Sequence, residues 1–305
     1  MMRHISITIL HFGEISITSK CLDSLEKLNL PNIGLTVLVI NNDLRVKFPE
    51  NSPYKNFKLH VLNNKENNGF SGGHNQGFRF ARRNKSDFHI VLNNDVYVDK
   101  DMITELLGCF KRWPTAGLVS PKIYFGKGDE FHKSKYKEEE LGRVIWYAGG
   151  ITDWDNLINH HRGVDEVDHG QYDDEEGETD FATGACFMIP MDLVQKVKGF
   201  DHRYFLYYED GDLNMRIKRL GRKIIFCPQS IVWHRNAKSS GSGSALQDYY
   251  ISRNRMLFGL TYAPLRTKIA LFRESIKILL RGRRWQKRGI IDFYLRNFGK
   301  GSYSI

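Results

Sequence analysis

Short apolar runs alternate with segments of helical spacing in the N-terminal part of the chain. Strand-like runs of apolar and β-branched residues lie at 3–10, 35–42, 58–64 and 88–95. Apolar residues recur with helical spacing from Ser16 to Leu28, and a second helix is predicted from GFRFARRN at 77–84. The order strand, helix, strand, strand, helix, strand is typical of an α/β fold whose mostly parallel sheet is covered by helices on both faces.

Polar residues follow several of these strands directly. His11 and Phe12 come after the first strand, and Asn-Asn-Asp sequences stand at 41–43 and 93–95. Because ligands of such sheets bind beyond the carboxyl ends of the strands, these residues are candidates for a ligand site.

The segment NNGFSGGHNQG at 67–77 combines four glycines with asparagines after a strand. Glycine has no Cβ and tolerates positive φ, and asparagine offers short donors and acceptors, so another body can approach such a backbone closely. Two interpretations are open at this point. Either a ligand lies against the backbone, or a helix packs closely on the sheet.

The middle of the chain is polar before regular patterning returns. The charged stretch at 126–180 is predicted to form mainly solvated loops. The run FATGACFMIP at 181–190 and two strand-like runs, at 223–228 and 230–236, follow it. A Ser/Gly loop at 237–244 completes the globular part.

One further helix is predicted between the run at 181–190 and the strands. Leu213, Ile217 and Leu220 fall on one helical face in the segment GFDHRYFLYYEDGDLNMRIKRLG. Asp212 is expected to cap this helix, and Gly221 stands just past its end.

Composition narrows the class of protein. A chain of 305 residues with 41% hydrophobic residues can bury a substantial core. No apolar run approaches the roughly 20 residues of a membrane span, and no signal peptide is recognised, so a cytoplasmic location is predicted. The four cysteines lack CxxC spacing and are expected to be buried, reduced thiols. The net charge of +10 favours an anionic partner.

The basic residues are concentrated after Tyr262. The region 263–305 mixes Arg and Lys with Leu, Ile, Phe and Trp, which is typical of basic amphipathic helices at an anionic membrane surface. The alternative is a helical appendage that packs on the domain or pairs subunits. Nucleic-acid binding is disfavoured, since single-strand binders combine a charged groove with stacking aromatics.

Three groups of residues could carry chemistry. Asp95 follows an apolar strand and is either a turn residue or an oxygen ligand for Mg²⁺ or Mn²⁺. The sequence YYEDGD crowds Glu209, Asp210 and Asp212, and like charges can shift a pKa so that one carboxylate accepts a proton. His234 follows a β-rich run, and a lone histidine there is more often structural than a ligand.

Taken in order, these segments resemble one family. The motifs are LHF, INN, NNGFSGGHNQG, LNND, TGACFMI, FLYYEDGDLNMRIKRLG and VWH before a Ser/Gly loop. Together they are similar to the family 2 inverting glycosyltransferases of the GT-A fold, particularly their rhamnosyltransferase-like branch, over about residues 3–260. The resemblance implies a Rossmann-like, mixed and mostly parallel sheet flanked by helices, with a C-terminal helical appendage.

The resemblance also implies roles for individual residues. Asp210 would be the catalytic base, and Asp95 and His234 would hold a divalent cation, Mg²⁺ or Mn²⁺, on the donor diphosphate. The donor site would include His11, Phe12, Asn41, Asn67, Gly72, Gly73, Asn75, Asn93 and Asn94. The acceptor side would include Trp154, Tyr208 and Glu209.

The implied function is sugar transfer with inversion. The donor would be a nucleoside diphosphate sugar, with dTDP-rhamnose expected first and a UDP-sugar, including galactofuranose, as the alternative. The acceptor would be a glycan or lipid-linked glycan of cell-surface polysaccharide synthesis, used at the inner face of the cell membrane. Residues 1–125 would form the donor half and 126–262 the acceptor half of one domain, followed by the region 263–305. An oligomer is possible.

Two residues depart from the pattern of the family. Position 41 is Asn where many relatives have Asp, and the metal motif at 93–95 has the single carboxylate of Asp95. Fewer anionic ligands weaken an all-protein cation site. A non-catalytic protein that binds sugar nucleotides on the same fold is therefore the remaining alternative.

Overall fold

A computed structural model describes residues 2–235 and 243–303 of the chain. The strands are β1 (Arg3–His11), β2 (Ile33–Asn41), β3 (Lys58–Asn63), β4 (Phe88–Asn93), β5 (Val96–Val98), β6 (Ala116–Phe125), β7 (Ile145–Tyr147), β8 (Gly150–Asp153), β9 (Ile158–His161), β10 (Gly177–Glu178), β11 (Cys186–Pro190) and β12 (Lys223–His234). The helices are α1 (Ile15–Leu25), α2 (Gly69–Arg83), α3 (Met102–Arg112), α4 (Met191–Val197), α5 (Glu209–Arg219), α6 (Ala245–Tyr262), α7 (Leu265–Arg281) and α8 (Arg284–Tyr294). Most of the predicted Ser/Gly loop, 237–244, lies outside the described residues.

The central sheet is mixed and mostly parallel in its N-terminal half. Its strand order is β10-β12-β6-β11-β4-β1-β2-β3, with β5 joined to β12 and β7 joined to β6. Strands β1 to β4 pair in parallel, whereas β11 is antiparallel to β4. The predicted fold class and the order of the first six elements are confirmed.

The two faces of β1 differ in chemistry. Ile5, Ile7 and Ile9 point into the main hydrophobic core. Ser6 and Thr8 alternate with them, are fully buried, and lie on the face that α2 covers. The four cysteines are buried, as expected.

Helix α2 begins earlier than predicted. It starts at Gly69, eight residues before the expected start at Gly77. A Cβ on Gly77 would lie 1.9 Å from Thr8 Oγ1, and one on Gly73 would lie 2.6 Å from Leu10 Cδ2. These glycines therefore let α2 rest closely on β1, which is the packing interpretation of the segment.

Replacing Gly77 by Ala should destabilise the protein without any ligand present. The new methyl would collide with a buried strand side chain, and such overpacking typically costs about 1–3 kcal/mol. The measurement is the free energy of unfolding in urea. Gly108→Ala in α3 is the matched control, because its Cβ would meet only the flexible end of Arg112. Equal stability of the two variants would contradict the close packing of α2.

Two histidines are buried beneath α2. His74 on α2 and His89 on β4 are both fully buried, and no described residue forms a hydrogen bond with any of their ring nitrogens. Burial lowers the pKa of His89 to about 3, and burial with the nearby His89 holds the pKa of His74 well below its usual range. Both rings are therefore neutral at physiological pH.

Mild acid should destabilise the fold through His89. Below pH 6.5 the unfolded chain protonates His89 and the folded chain does not, so stability falls as the pH drops towards 3. At pH 5 the loss from this residue is about 2 kcal/mol. Urea unfolding at pH 7.5 and pH 5 measures it, and His89→Leu should reduce the difference by that amount. An unchanged difference would show that His89 is not the source.

The segment 126–180 is more ordered than predicted. It contains β7 to β10, and Val144, Ile145 and Tyr147 are fully buried. The prediction of mainly solvated loops was wrong here because β7 pairs with the carboxyl end of β6. This pairing brings the apolar residues of β7 into the core.

Helix α5 also begins earlier than predicted. It starts at Glu209, so Asp212 lies inside the helix, and the prediction that Asp212 caps it was wrong. The Asp212 carboxylate instead accepts a hydrogen bond of 2.7 Å from Arg216 Nε one turn later. Leu213 and Ile217 are buried, and Gly221 follows the helix with a φ of +72°.

The C-terminal helices pack on the domain. Leu271 of α7 and Ile290 of α8 are buried in one cluster with Leu257 and Phe258 of α6. The interval between α6 and α7 coincides with the proposed boundary at 262, and that boundary stays a prediction. Within the described residues, we find no helix that combines the length and the apolar character needed to cross a membrane.

Candidate active site

An open cleft lies beyond the carboxyl ends of β1 and β2. Its volume is about 490 Å³, and its lining consists of Gly13, Glu14, Ile15, Ser16, Asp43, Arg45 and Val46. The loop after each strand contributes one wall. This is where ligands of parallel α/β sheets bind.

Asp43 is a cleft residue that the sequence predicted only as part of the Asn-Asn-Asp candidate at 41–43, with no specific role. Its Oδ2 accepts a hydrogen bond of 3.0 Å from the Gly13 N–H, and its Oδ1 accepts one of 2.8 Å from Arg45 Nε. The Arg45 side chain holds the pKa of Asp43 well below its usual range. The carboxylate missing at Asn41 is thus present two residues later, as the last letter of the Asn-Asn-Asp sequence.

Asn41 supports the loop at the cleft. Its Nδ2 donates to the Val46 carbonyl at 2.7 Å and to Asn63 Oδ1 at 2.9 Å, and its side chain is buried. Phe12 is half-exposed, and the Arg45 guanidinium lies 5.4 Å from its ring centroid. Their contact with a donor stays a prediction.

His11 and Asn94 meet at one hydroxyl. His11 Nδ1 lies 2.8 Å from Thr18 Oγ1, and Asn94 Nδ2 donates to the same oxygen at 3.0 Å. Burial lowers the pKa of His11. The first turns of α1 are thereby tied to the ends of β1 and β4.

The remaining predicted donor residues are on or before α2. Asn67 Oδ1 accepts a hydrogen bond from the Gly69 N–H at 2.8 Å, and Gly72 is half-buried within the helix. Asn75 bonds the backbone of Phe200 twice, at 2.8 and 2.9 Å. Asn75 therefore holds the loop before α5, and its role in donor binding stays a prediction.

The two predicted cation ligands are brought together by β5. This strand pairs with β12, and Asp95 Oδ1 lies 3.2 Å from His234 Nε2. Both side chains are about nine-tenths buried, and the Trp146 ring lies 4.6 Å from the His234 ring. Residues 139 positions apart in sequence thus converge on one point.

This pair fits a divalent cation. Adjacent ligands of an octahedral Mg²⁺, each at about 2.1 Å, lie about 3 Å from each other, and the observed separation is close to that. The carboxylate oxygen suits both Mg²⁺ and Mn²⁺, whereas an imidazole nitrogen is accepted by transition metals more readily than by Mg²⁺, so the pair favours Mn²⁺. Because the chain offers a single carboxylate here, phosphate oxygens and water would fill the other coordination positions of a cation.

Asp210 lies at the start of α5 with both oxygens held. Its Oδ2 accepts a hydrogen bond of 3.0 Å from the Gly184 N–H, and its Oδ1 accepts one of 2.7 Å from the Gly211 N–H. Burial raises the pKa of Asp210, and these N–H groups oppose that shift. The TGACFMI and YYEDGD motifs therefore meet at this carboxylate.

Asn214 connects α5 to the backbone of Ala182, just before the TGACFMI motif. The sequence interpretation did not identify this residue. Its side chain donates to the Ala182 carbonyl at 2.8 Å and accepts from the Ala182 N–H at 3.0 Å. It also donates to the Asp210 carbonyl at 2.7 Å. Its only sequence signal is an amide one turn after Asp210 on a buried helical face.

The turn before Asp210 is held in an unusual conformation. Tyr207 and Tyr208 both have a φ of +70°, which side chains other than glycine adopt at a cost. Asn254 of α6, itself fully buried, donates to the carbonyls of Leu206 and Tyr207 at 2.8 and 2.9 Å. Helix α6 thus stabilises the turn that delivers Asp210.

The predicted acceptor-side residues share one neighbourhood. The Trp154 ring stacks on Phe258 with centroids 6.1 Å apart, and Tyr208 lies 5.5 Å from the same ring. Glu209 is buried, and its Oε2 has no hydrogen-bond partner among the described residues. Burial and the nearby Asp210 carboxylate raise the pKa of Glu209 well above its usual range.

Backbone hydrogen bonding connects Asp210 to the pair formed by Asp95 and His234. The Asn93 N–H donates to the Ala185 carbonyl at 2.9 Å, one residue after the Gly184 N–H that holds Asp210. Asp95 follows Asn93 by two residues. The cleft, the Asp95–His234 pair and Asp210 consequently lie along the carboxyl edge of the parallel strands.

Solved structures share this architecture. A mannosyltransferase from Pyrobaculum calidifontis in complex with GDP-Man and Mn²⁺ aligns with 100% of this chain and 77% of its own, at a TM-score of 0.53 and 13% identity. GalNAc-T7 with UDP, GalNAc and Mn²⁺ aligns with 96% of this chain and 57% of its own, at a TM-score of 0.56 and 14% identity. At these identities the similarity establishes the GT-A fold.

The sequence comparisons establish the family. The model of the family described as "Glycosyltransferase like family 2" matches residues 3–259, and the chain therefore belongs to glycosyltransferase family 2.

Curated relatives match a shorter stretch of the chain. An N-acetylglucosaminyl-diphospho-decaprenol L-rhamnosyltransferase of Mycobacterium tuberculosis is 28% identical over 52% of this chain and 50% of its own. The low-salt glycan biosynthesis hexosyltransferase Agl10 of Haloferax volcanii is 25% identical over 65% of this chain and 59% of its own. The chain thus spans about half the length of the curated relatives it matches.

Proposed function

We propose that this glycosyltransferase moves a sugar from a nucleoside diphosphate donor to an acceptor hydroxyl with inversion at the anomeric carbon. The observation that carries the proposal is the partly buried Asp210 carboxylate, held by two backbone N–H groups at the sheet edge that also bears Asp95 and His234. The motifs that predict the base and the cation ligands are separate in the sequence, and their convergence at one sheet edge supports the proposal.

Asp210 serves as the general base. It takes the proton of the acceptor hydroxyl while that oxygen forms its bond to the anomeric carbon, and the bond to the diphosphate oxygen breaks on the opposite side. The Gly184 and Gly211 N–H groups fix the orientation of the carboxylate. Burial raises its pKa and so makes it a stronger base than an exposed aspartate.

Asp95 and His234 are the cation ligands in this proposal. A bound Mg²⁺ or Mn²⁺ supplies Lewis-acid stabilisation of negative charge on the departing diphosphate. The contribution of the chain is to hold one carboxylate oxygen and one imidazole nitrogen 3.2 Å apart in a buried position. Asn93 and Asn94 line the same strand end.

We infer the donor and the acceptor from the names of the relatives. The name of the M. tuberculosis relative specifies rhamnose and a lipid-linked N-acetylglucosamine. We place dTDP-rhamnose first as the donor, a UDP-sugar second, and a lipid-linked glycan of cell-surface polysaccharide synthesis as the acceptor. Such an enzyme would act in the cytoplasm at the inner face of the membrane.

A ligand-stabilisation screen identifies the donor. A ligand that binds only the native state raises the melting temperature, so dTDP-rhamnose with Mn²⁺ should raise it more than UDP-sugars or dTDP with EDTA. Asp43→Asn should lose most of this shift if the cleft is the nucleotide site. A protein stabilised by none of the sugar nucleotides would contradict the proposal.

A further inference from the structure

Helix α7 carries a row of exposed apolar side chains. The row, which we call the apolar stripe, consists of Leu265, Ile269, Phe272, Ile276 and Leu280. At 100° per residue these five positions fall within an arc of about 80° on the helix surface. Their exposed fractions run from 44% for Ile276 to 74% for Leu265. A contiguous exposed apolar surface of this kind marks an interaction site.

The stripe is not the face that attaches α7 to the protein. Thr267, Leu271 and Ser275 are buried and form the inner face of the helix. Leu271 packs in the cluster of α6, and the Thr267 hydroxyl donates to the Trp154 carbonyl at 2.9 Å. The packing of the appendage therefore leaves the stripe without a partner in the described part of the chain.

Exposed cations flank the stripe. Arg266, Arg273, Lys277 and Arg281 are exposed on α7, and none of them forms an ion pair among the described residues. The region 263–305 contains eleven Arg and Lys but two acidic residues, Glu274 and Asp292. Both acids are engaged, by Arg255 and by Arg288. The region 263–305 therefore carries a formal charge of +9 (eleven basic residues minus two acidic ones), out of +10 for the whole chain.

The inner face of α7, which is opposite the stripe, contacts the predicted acceptor side of the site. Helix α7 bonds the Trp154 carbonyl, and Arg255 Nη2 donates to the Asn156 carbonyl at 2.9 Å, so the turn between β8 and β9 is fixed to α6 and α7. A Cβ on Gly211, the residue after Asp210, would lie 3.7 Å from Asn159 Nδ2 of β9. A series of direct contacts thus links α7, this hairpin and the start of α5.

We propose that the apolar stripe of α7 inserts into the surface of an anionic phospholipid bilayer. Apolar side chains enter the boundary between head groups and acyl chains, and the flanking cations meet the phosphates and acidic head groups. The charge selects this occupant, because a second copy of the chain would bring a like-charged face against it. A lipid-linked acceptor would then lie in the same bilayer, beside the acceptor side.

Co-sedimentation of the full chain with vesicles tests the proposal. Vesicles of phosphatidylcholine with phosphatidylglycerol should bind the protein at low salt, and pure phosphatidylcholine should not. Phe272→Ser combined with Ile276→Ser should lower the partition coefficient roughly tenfold or more. Arg273→Gln combined with Lys277→Gln should lower it roughly tenfold, and added salt should reduce this difference.

Matched controls separate the stripe from general surface changes. Phe131 is 56% exposed, against 53% for Phe272, and Phe131→Ser should bind as the wild type does. Arg82→Gln with Arg83→Gln removes the same charge from α2 and should have little effect. Melting temperature and its rise with the sugar nucleotide report folding and donor binding, so failure of the proposed function is distinguishable from failure of membrane binding.

Three outcomes would overturn the inference. The wild type could fail to bind anionic vesicles at low salt, or the stripe variant could bind as tightly as the wild type. The third is a wild-type dimer in analytical ultracentrifugation that the stripe variant converts to monomer, with no vesicle binding. That result would assign the stripe to a second copy of the chain.

Discussion

Asp210→Asn should lower the rate of sugar transfer by roughly a hundred- to ten-thousand-fold, the usual effect of losing a general base. An amide keeps the shape of the side chain and one oxygen to accept from Gly184 or Gly211, but it cannot take a proton. Donor affinity and melting temperature should stay near wild type. The measurement is turnover at saturating donor, with donor affinity determined separately by calorimetry.

Asp192→Asn is the matched control for this substitution. Asp192 lies on α4, where its side chain is 62% exposed and pairs with Lys196. It should transfer sugar at the wild-type rate. Turnover of Asp210→Asn within a few-fold of wild type would reject Asp210 as the base and leave Glu209 as the nearest carboxyl to examine.

Loss of either cation ligand should weaken donor binding in Mn²⁺ far more than in EDTA. Removing even a group that supports a metal ligand costs roughly 10- to 100-fold in metal affinity, and Asp95→Asn or His234→Ala removes a ligand itself. Mn²⁺ binding followed by electron paramagnetic resonance gives a readout that does not depend on turnover. The double variant should add little to either single one if the two side chains, 3.2 Å apart, hold the same ion.

His169→Ala is the control for the cation experiment. His169 is exposed in the segment between β9 and β10, and it lies on neither β5 nor β12. It should leave Mn²⁺ binding unchanged. A wild-type donor affinity that is the same with Mn²⁺ and with chelator would contradict a cation role for Asp95 and His234.

The alternation of apolar runs predicted most of the sheet. Strands β1 to β4 are short, apolar and separated by turn residues, so pattern alone placed them within two residues of their observed ends. The start of α2 was predicted eight residues too late because glycine lowers helix propensity. The tertiary contacts of Gly73 and Gly77 with β1 outweigh that propensity, and a local pattern contains no information about them.

The residues of the candidate site that stand in motifs or directly after strands could be predicted from the sequence. Asp95 and Asp210 stood in recognisable motifs, whereas Asn214 and Asn254 act on backbone groups 32 and about 48 positions away. No sequence spacing signals such contacts. Asp43 is part of an Asn-Asn-Asp sequence, but a sequence pattern does not show that its carboxylate accepts a hydrogen bond from the Gly13 N–H. The buried face of the C-terminal region could not be predicted either, because its composition does not show which side chains are buried and which are exposed.

Sugar transfer by the purified full chain tests the central claim most directly. The protein is incubated with labelled dTDP-rhamnose or UDP-sugars, Mn²⁺ and a lipid-linked N-acetylglucosamine acceptor, and labelled acceptor and nucleoside diphosphate are both quantified. We expect one donor to yield equal amounts of the two products, with the anomeric configuration inverted in the glycan and with both products lost in Asp210→Asn. Tight donor binding without nucleoside diphosphate release from any sugar nucleotide would contradict the account and indicate a non-catalytic binding protein.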